Sequence, residues 1–148
     1  MPANIRERFR RYGRVGGRTR AARMPPLARH AVARRAAMAR WIRVRFGASR
    51  FADLGLPGGA TVDAGLADLA AAKTTPESLL VSLAAPRLRR EGVPIRSPLS
   101  DPEVRLFRLL ARTVGDLTHA RYNAHLRLMV SFADSCRGAR MEVDGNAT

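Results

Sequence analysis

The sequence has a single cysteine, Cys136, and aromatic residues make up only 5% of its 148 residues. One cysteine excludes an intrachain disulfide and a cysteine-based zinc site, and it fits a reducing compartment. No window approaches the roughly 18 consecutive apolar residues that a membrane-spanning helix needs, and no apolar leader precedes Gly13. We therefore expect a cytoplasmic protein that does not associate with a membrane, and one that is nucleoid-associated if it binds DNA.

Recognisable catalytic and metal-binding patterns are also missing. The sequence has no P-loop and no GxSxG motif, and its one close acidic pair, Asp101 and Glu103, is predicted to cap a helix. His119 and His125 are six residues apart, which places them on opposite sides of one helix, so they cannot share a metal without a partner from elsewhere. Cys136 falls on an apolar stripe and is interpreted as a small core residue rather than a nucleophile. We predict a protein that is not an enzyme, with no catalytic residues, metal or cofactor.

Acidic residues are nearly missing from the first third of the chain. Residues 1–50 contain 15 arginines and one acid, Glu7, a net charge of +14, whereas residues 51–148 have 12 basic and 11 acidic residues, a net charge of +1. The ratio of 26 arginines to one lysine indicates the codon bias of a GC-rich genome. Codon bias explains arginine in place of lysine, but it does not explain why acidic residues are nearly missing from the first third of the chain. Positive charges at this density repel one another unless an anionic partner neutralises them, and nucleic acid is the commonest such partner.

Ten arginines lie between Gly13 and Phe46, with no acidic residue among them. We interpret all ten as candidate nucleic-acid-binding residues: Arg14, Arg18, Arg20, Arg23, Arg29, Arg34, Arg35, Arg40, Arg43 and Arg45. They can bind phosphates and the edges of guanine, but the segment offers no Asn or Gln for adenine, which favours nonspecific or architectural binding. Few aromatic residues are interleaved with them, which disfavours stacking on single strands.

The segment Leu27 to Phe46 is predicted to be a helix. Pro25 and Pro26 can occupy a helix entry, the segment is alanine-rich, and it contains no further Pro or Gly. At about 100° per residue its apolar side chains fall on one arc, the predicted buried stripe: Leu27, Ala31, Met38, Ile42 and Phe46. Trp41 lies off this stripe and is interpreted as a core or staple residue near the helix end.

The arginines of this helix do not all avoid the apolar arc. Arg29, Arg40 and Arg43 lie nearly opposite it, whereas Arg34, Arg35 and Arg45 project to its edges or onto it. Two explanations stay open for the second group. Their stems can cover apolar neighbours, or this face meets a phosphate backbone or an acidic protein.

The residues before this helix predict a shorter one. Asn4 and Glu7 have the spacing of a capping box, and Ile5, Phe9 and Tyr12 share a face, so a helix is expected from about residue 5 to 12. Gly13 would end it. Gly16 and Gly17 would then form a basic turn whose backbone N–H groups can approach an anion.

Residues 16–41 resemble short bacterial proteins that share a GG(K/R)xRA opening and an ARxAAxARW close. Pro25 and Leu27 depart from that family, which usually has a Ser or Thr cap and an acidic first turn at these places, so the helix start is not fixed by the resemblance. The resemblance implies a small regulator, a histone-like protein or an antitoxin-like protein. The matching residues are Gly16, Gly17, Arg18, Arg20, Ala21, Pro26, Arg29, Val32, Ala33, Arg34, Ala36, Ala37, Ala39, Arg40 and Trp41.

The remainder of the chain predicts helices and no strand, because no sustained alternation of period two occurs. Helices are expected over 61–73, from a Thr75 cap to Gly92 with a kink or break caused by Pro86, from a capping box at 100–103 to Gly115, and from 116 to 136. The predicted fold is all-α, a basic N-terminal helical segment (1–50), a linker (51–60), a bundle of about four helices (61–137) and a disordered tail (138–148).

Three functions stay open after these observations. The leading hypothesis is a DNA-binding regulator, antitoxin-like, whose arginine-rich helix contacts phosphates while the bundle forms a homodimer or holds a partner. The second is a protein-interaction module whose basic helix docks on an acidic partner such as a toxin. The third is RNA binding through the same arginines, which we place after duplex DNA.

Overall fold

The computed structural model describes the backbone of residues 3–145 and the side chains of residues 5–139, and in this part of the chain it contains helices and no strand. The predicted all-α fold is therefore confirmed. The α-helices are α1 (Ala3–Arg23), α2 (Pro26–Phe46), α3 (Gly59–Ala70), α4 (Pro76–Arg90), α5 (Pro102–Val114) and α6 (Thr118–Gly145). Two short 3-10 helices, Phe51–Leu54 and Gly115–Leu117, follow α2 and α5.

One hydrophobic core joins α3, α4, α5, α6 and the C-terminal end of α2. Phe51 is at its centre, fully buried, with its ring edge-on to Phe46 at 5.6 Å and to Phe132 at 5.0 Å between centroids. Segment 51–60, predicted as a linker, therefore supplies a central core residue. The carboxylate of Asp63 accepts the backbone N–H groups of Phe51 (3.1 Å) and Ala52 (2.9 Å), which fixes this 3-10 helix on α3.

Helix α4 begins at a side-chain cap and continues through a proline. The Thr75 hydroxyl accepts the Ser78 N–H while the Ser78 hydroxyl accepts the Thr75 N–H, a reciprocal cap that confirms Thr75 as the first capping residue. The predicted break at Pro86 does not occur, since α4 runs on to Arg90. Ala85 and Leu88 on either side are buried, so core packing holds the helix across a proline that removes one backbone donor.

Two predicted helix ends and one predicted turn, all at glycines, are wrong. α1 continues through Gly13, Gly16 and Gly17, so there is no basic glycine turn, and α6 continues through Gly138 to Gly145. None of these four glycines has a positive φ, and each costs only about 1 kcal/mol relative to alanine in a helix. Of the predicted disordered tail, 138–145 is helical and 146–148 lies outside the described residues.

The capping box predicted at 100–103 is also wrong, although α5 itself is present. Asp101 has a left-handed backbone (φ 47°, ψ 46°) and its side chain makes no capping hydrogen bond. A capping side chain normally extends from β-region backbone, and Asp101 does not have that geometry. Pro102 instead begins the helix, at a position where its missing N–H has no cost.

None of the described helices combines the length and the apolar character needed to cross a bilayer.

Candidate nucleic-acid interface

Helix α1 is exposed along its whole described length. Every side chain from Ile5 to Arg23 is exposed, including Phe9 at 68% and Tyr12 at 69%. The helix ends at Arg23, and after Met24 the extended backbone of Pro25 (φ −55°, ψ 148°) leads directly into Pro26, the first residue of α2. Two 21-residue basic helices are thus joined by two residues.

Helix α2 leaves the bundle towards its N-terminus. Ile42 is 2% exposed and Phe46 is buried, Met38 and Ala31 are half-buried, and Leu27 is 82% exposed. The predicted apolar stripe is therefore correct for its C-terminal half and wrong at Leu27. The physical reason is that the 3-10 helix and α3 cover only the end of α2, and Gly47, in left-handed conformation (φ 76°), turns the chain back onto the bundle there.

The structure divides the ten predicted arginines between these two helices. Arg14, Arg18, Arg20 and Arg23 lie on α1, and the other six lie on α2. Nine are exposed and Arg34 is half-buried. None of the ten has a carboxylate partner among the described residues, where the salt bridges are those of Arg50 with Asp53 and of Arg137 with Glu91. Arg43 donates to the Ser49 hydroxyl.

The bundle has a different electrostatic character, because residues 51–148 have nearly equal numbers of basic and acidic residues, and some of its arginines also make contacts within the fold. Arg89 donates to the Ile95 carbonyl at 2.6 Å, and Arg105 donates to the Ser100 carbonyl at 3.2 Å. The guanidinium of Arg50, hydrogen-bonded to Asp53, has a raised pKa, as has that of Arg137 beside Glu91. The excess of positive over negative charge is therefore concentrated on α1 and α2.

A cleft of about 380 Å³ separates α1 from the N-terminal half of α2. Gly17, Arg20 and Ala21 line it from α1, and Arg29 and Val32 are among the residues that line it from α2. Arg20 and Arg29 therefore reach one concave surface, although they are nine positions apart on different helices. The walls are built from small residues, which leaves both guanidinium groups accessible.

Trp41 has the structural role that its position predicts. It is half-buried, packs against the core, and stands edge-on to Phe46 at 5.8 Å and to Phe51 at 6.4 Å. The sequence placed Arg34, Arg35 and Arg45 at the edges of the apolar arc or on it. Arg34 and Arg35 line a groove next to Trp41, between α2 and α3, and Arg45 is exposed to solvent.

Two arginines near this surface were not among the predicted site residues. Arg50 and Arg96 line the same groove as Arg34 and Arg35. Arg96 belongs to the extended connection between α4 and α5, about 60 residues away along the chain. No local pattern relates it to α2, so only the folded chain could have identified it.

The remaining titratable groups do not form a metal centre, since no cluster of three His, Cys, Asp or Glu side chains occurs among the described residues. The ring of His119 packs edge-on against Phe107 at 4.9 Å. Burial, helped by the charge of Arg121, lowers the pKa of His125 below its ordinary value, and Glu77 opposes that shift. Cys136 is buried in the core, which confirms its interpretation as a packing residue.

Comparison with known proteins gives no further assignment: no family model matches the chain, and no significant match was found among curated proteins or solved structures.

Proposed function

We propose that this protein binds nucleic acid, duplex DNA ahead of RNA, through the arginines of α1 and α2, and that it acts as a small regulator or antitoxin-like protein. One observation carries the proposal. Ten guanidinium groups stand on two adjoining helices without a carboxylate partner among the described residues. Phosphates are the natural counter-ions for such a surface, and arginine binds them with two parallel hydrogen bonds.

The two helices suit a duplex better than a single strand. Each has 21 residues and so extends about 30 Å, long enough to follow a groove or cross a backbone. The arginines supply phosphate contacts, whereas base-reading amides are missing from this segment. Binding should therefore depend weakly on sequence. The bundle would serve as the part that forms a homodimer or holds a partner.

The test is binding to labelled random duplex DNA across a salt series. If about 6 to 10 arginines reach phosphates, affinity should fall by about 10³ to 10⁵ between 50 and 200 mM salt. A variant with Arg29, Arg34, Arg35, Arg40 and Arg43 changed to Gln should bind more weakly and with a shallower salt slope. Competition with structured RNA then ranks the two nucleic acids.

A charge-matched control distinguishes the effect of this surface on binding from the effect of the protein's net charge. The control variant carries Gln at five exposed bundle arginines, Arg87, Arg90, Arg108, Arg112 and Arg121. It loses the same number of charges, so it should retain nearly all of the affinity and the slope. Equal losses in both variants would mean that net charge alone drives binding, and no binding by the unmodified protein at 50 mM salt would reject the function.

An acidic protein partner is the second candidate, and the apolar face of α1 favours it. Ile5, Phe9 and Tyr12 share one face of α1 and are exposed. Phosphate binding does not need such a face, whereas a helix that docks in a groove does. A nucleic-acid-free complex that survives about 0.5 M salt, and that is lost when Phe9 and Tyr12 are changed to Ser, would favour this candidate, because buried apolar contacts are screened little.

A further inference from the structure

A groove of about 850 Å³ lies between α2, α3 and the connection that follows α4. Residues between 34 and 42 of α2 line one side of it, and residues between 63 and 70 of α3 line the other. Its volume is within the usual range of about 300 to 1,000 Å³ for small-molecule sites. It is therefore large enough for a ligand and too large to be a packing defect.

The floor of the groove is apolar. Met38, Trp41 and Ile42 line it from α2, and Leu66 and Leu69 line it from α3. Met38, Trp41 and Leu66 are only partly buried, so the floor presents accessible hydrocarbon and an aromatic ring. A hydrophobic body placed here would remove that surface from water.

The rim of the groove is cationic. Arg34 and Arg35 stand on the α2 side, Arg96 belongs to the connection after α4, and Arg50 lies near the end of α2. Arg50 is paired with Asp53 at 2.8 Å, whereas Arg34, Arg35 and Arg96 have no carboxylate partner among the described residues. Among the described residues that line the groove, Asp63 is the single carboxylate, and it already accepts two backbone N–H groups.

We propose that this groove binds an organic anion with an apolar body and a carboxylate or phosphate head group. The body lies on the floor formed by Met38, Trp41 and Leu66, and the head group pairs with Arg34 or Arg35, with Arg96 adding positive charge to the same rim. A neutral hydrocarbon would leave the three guanidinium groups unused, and a small inorganic anion would leave the floor exposed. Only a ligand with both parts matches both surfaces.

Arg34 and Arg35 also belong to the candidate nucleic-acid interface. An occupied groove would neutralise part of that interface, so the ligand should weaken DNA binding. This consequence rests on the proposed function, whereas the binding of the ligand itself does not.

The chain provides its own reporter, because Trp41 is its only tryptophan and lines the groove. Trp41 fluorescence is followed, with no nucleic acid present, while decanoate or decyl phosphate is added below the critical micelle concentration. A saturable change is expected with one or both of these probes, and their comparison identifies the preferred head group. Propionate, which lacks the chain, and decanol, which lacks the charge, should produce at least about tenfold weaker responses.

Matched variants locate the site. R34Q/R35Q should bind the better probe about tenfold more weakly or worse, whereas R108Q/R112Q, which removes two charges from an exposed part of α5, should bind as the unmodified protein does. Leu66→Ala should also weaken binding, with circular dichroism as the check that it folds. The proposal is overturned if neither probe gives a saturable change, if decanol matches decanoate, or if both arginine pairs have equal effects. None of these results depends on whether the protein binds DNA.

Discussion

Arg137 on α6 binds Glu91, the residue that follows α4, with Nη2 at 2.7 Å and Nε at 3.2 Å from the same carboxylate oxygen, Oε1. Glu91 is 4% exposed and Arg137 is largely exposed, so a surface guanidinium neutralises a buried carboxylate. The contact joins elements that are 46 residues apart in the chain. It ties the C-terminal helix to the end of α4, beside the connection that lines the groove.

Removing this guanidinium should lower the melting temperature. Arg137→Gln deletes the charged donor while Glu91 stays buried with its remaining contacts, and a buried carboxylate without its cation is costly. Arg108→Gln, an exposed arginine without a recorded carboxylate contact in the described chain, is the matched control and should leave the thermal transition unchanged. Equal melting temperatures in the two variants would show that the ion pair does not stabilise the fold.

At Gly65, α3 and α4 approach each other closely. A Cβ at this position would lie 2.5 Å from the Glu77 carbonyl oxygen and 2.5 Å from a Val81 methyl group. Gly65→Ala should therefore destabilise the protein by about 1 to 3 kcal/mol, although alanine is the better helix former. Gly138→Ala on α6, where nothing lies within 4 Å, should instead be neutral or stabilising by up to about 1 kcal/mol. Urea denaturation of both variants measures the difference.

Phe51 should be among the most sensitive positions in the chain. It is fully buried and its ring contacts Phe46 and Phe132, so Phe51→Ala leaves a cavity and should cost about 3 to 5 kcal/mol of unfolding free energy. Phe9→Ala removes the same ring from an exposed position on α1 and should change stability by less than about 0.5 kcal/mol. If Phe51→Ala were equally mild, residues 51–54 would behave as the linker that the sequence suggested.

His125 should make stability depend on pH. Burial and the charge of Arg121 lower its pKa in the folded protein below the ordinary value of 6.5, against the opposing effect of Glu77. The unfolded chain therefore takes up this proton first, so stability is complete above about pH 6.5 and declines as the pH falls through the lowered folded value. The NMR titration of the imidazole should have its midpoint below 6.5, and His125→Gln should remove this part of the pH dependence. A midpoint at or above 6.5 would contradict the prediction.

The sequence determined those features that depend on neighbours along the chain. The separation of charge between residues 1–50 and the rest is a matter of composition, and the helical repeat of apolar residues placed Ile42 and Phe46 in the core. The Thr75 cap was predictable because its partner lies three residues away. The same applies to the burial of Cys136, which follows from its place on the α6 stripe.

Only the tertiary structure decided whether a glycine or proline would end a helix and which residues far apart in the sequence would come together. Pro86 is held in α4 by core contacts on both sides, and α6 continues through Gly138, whose cost of about 1 kcal/mol is small. Asp63 reaches the backbone of Phe51, and Arg96 reaches the groove beside Trp41, through chain paths that no periodicity describes. Local propensity acts over a few residues, whereas packing selects among the arrangements that propensity allows.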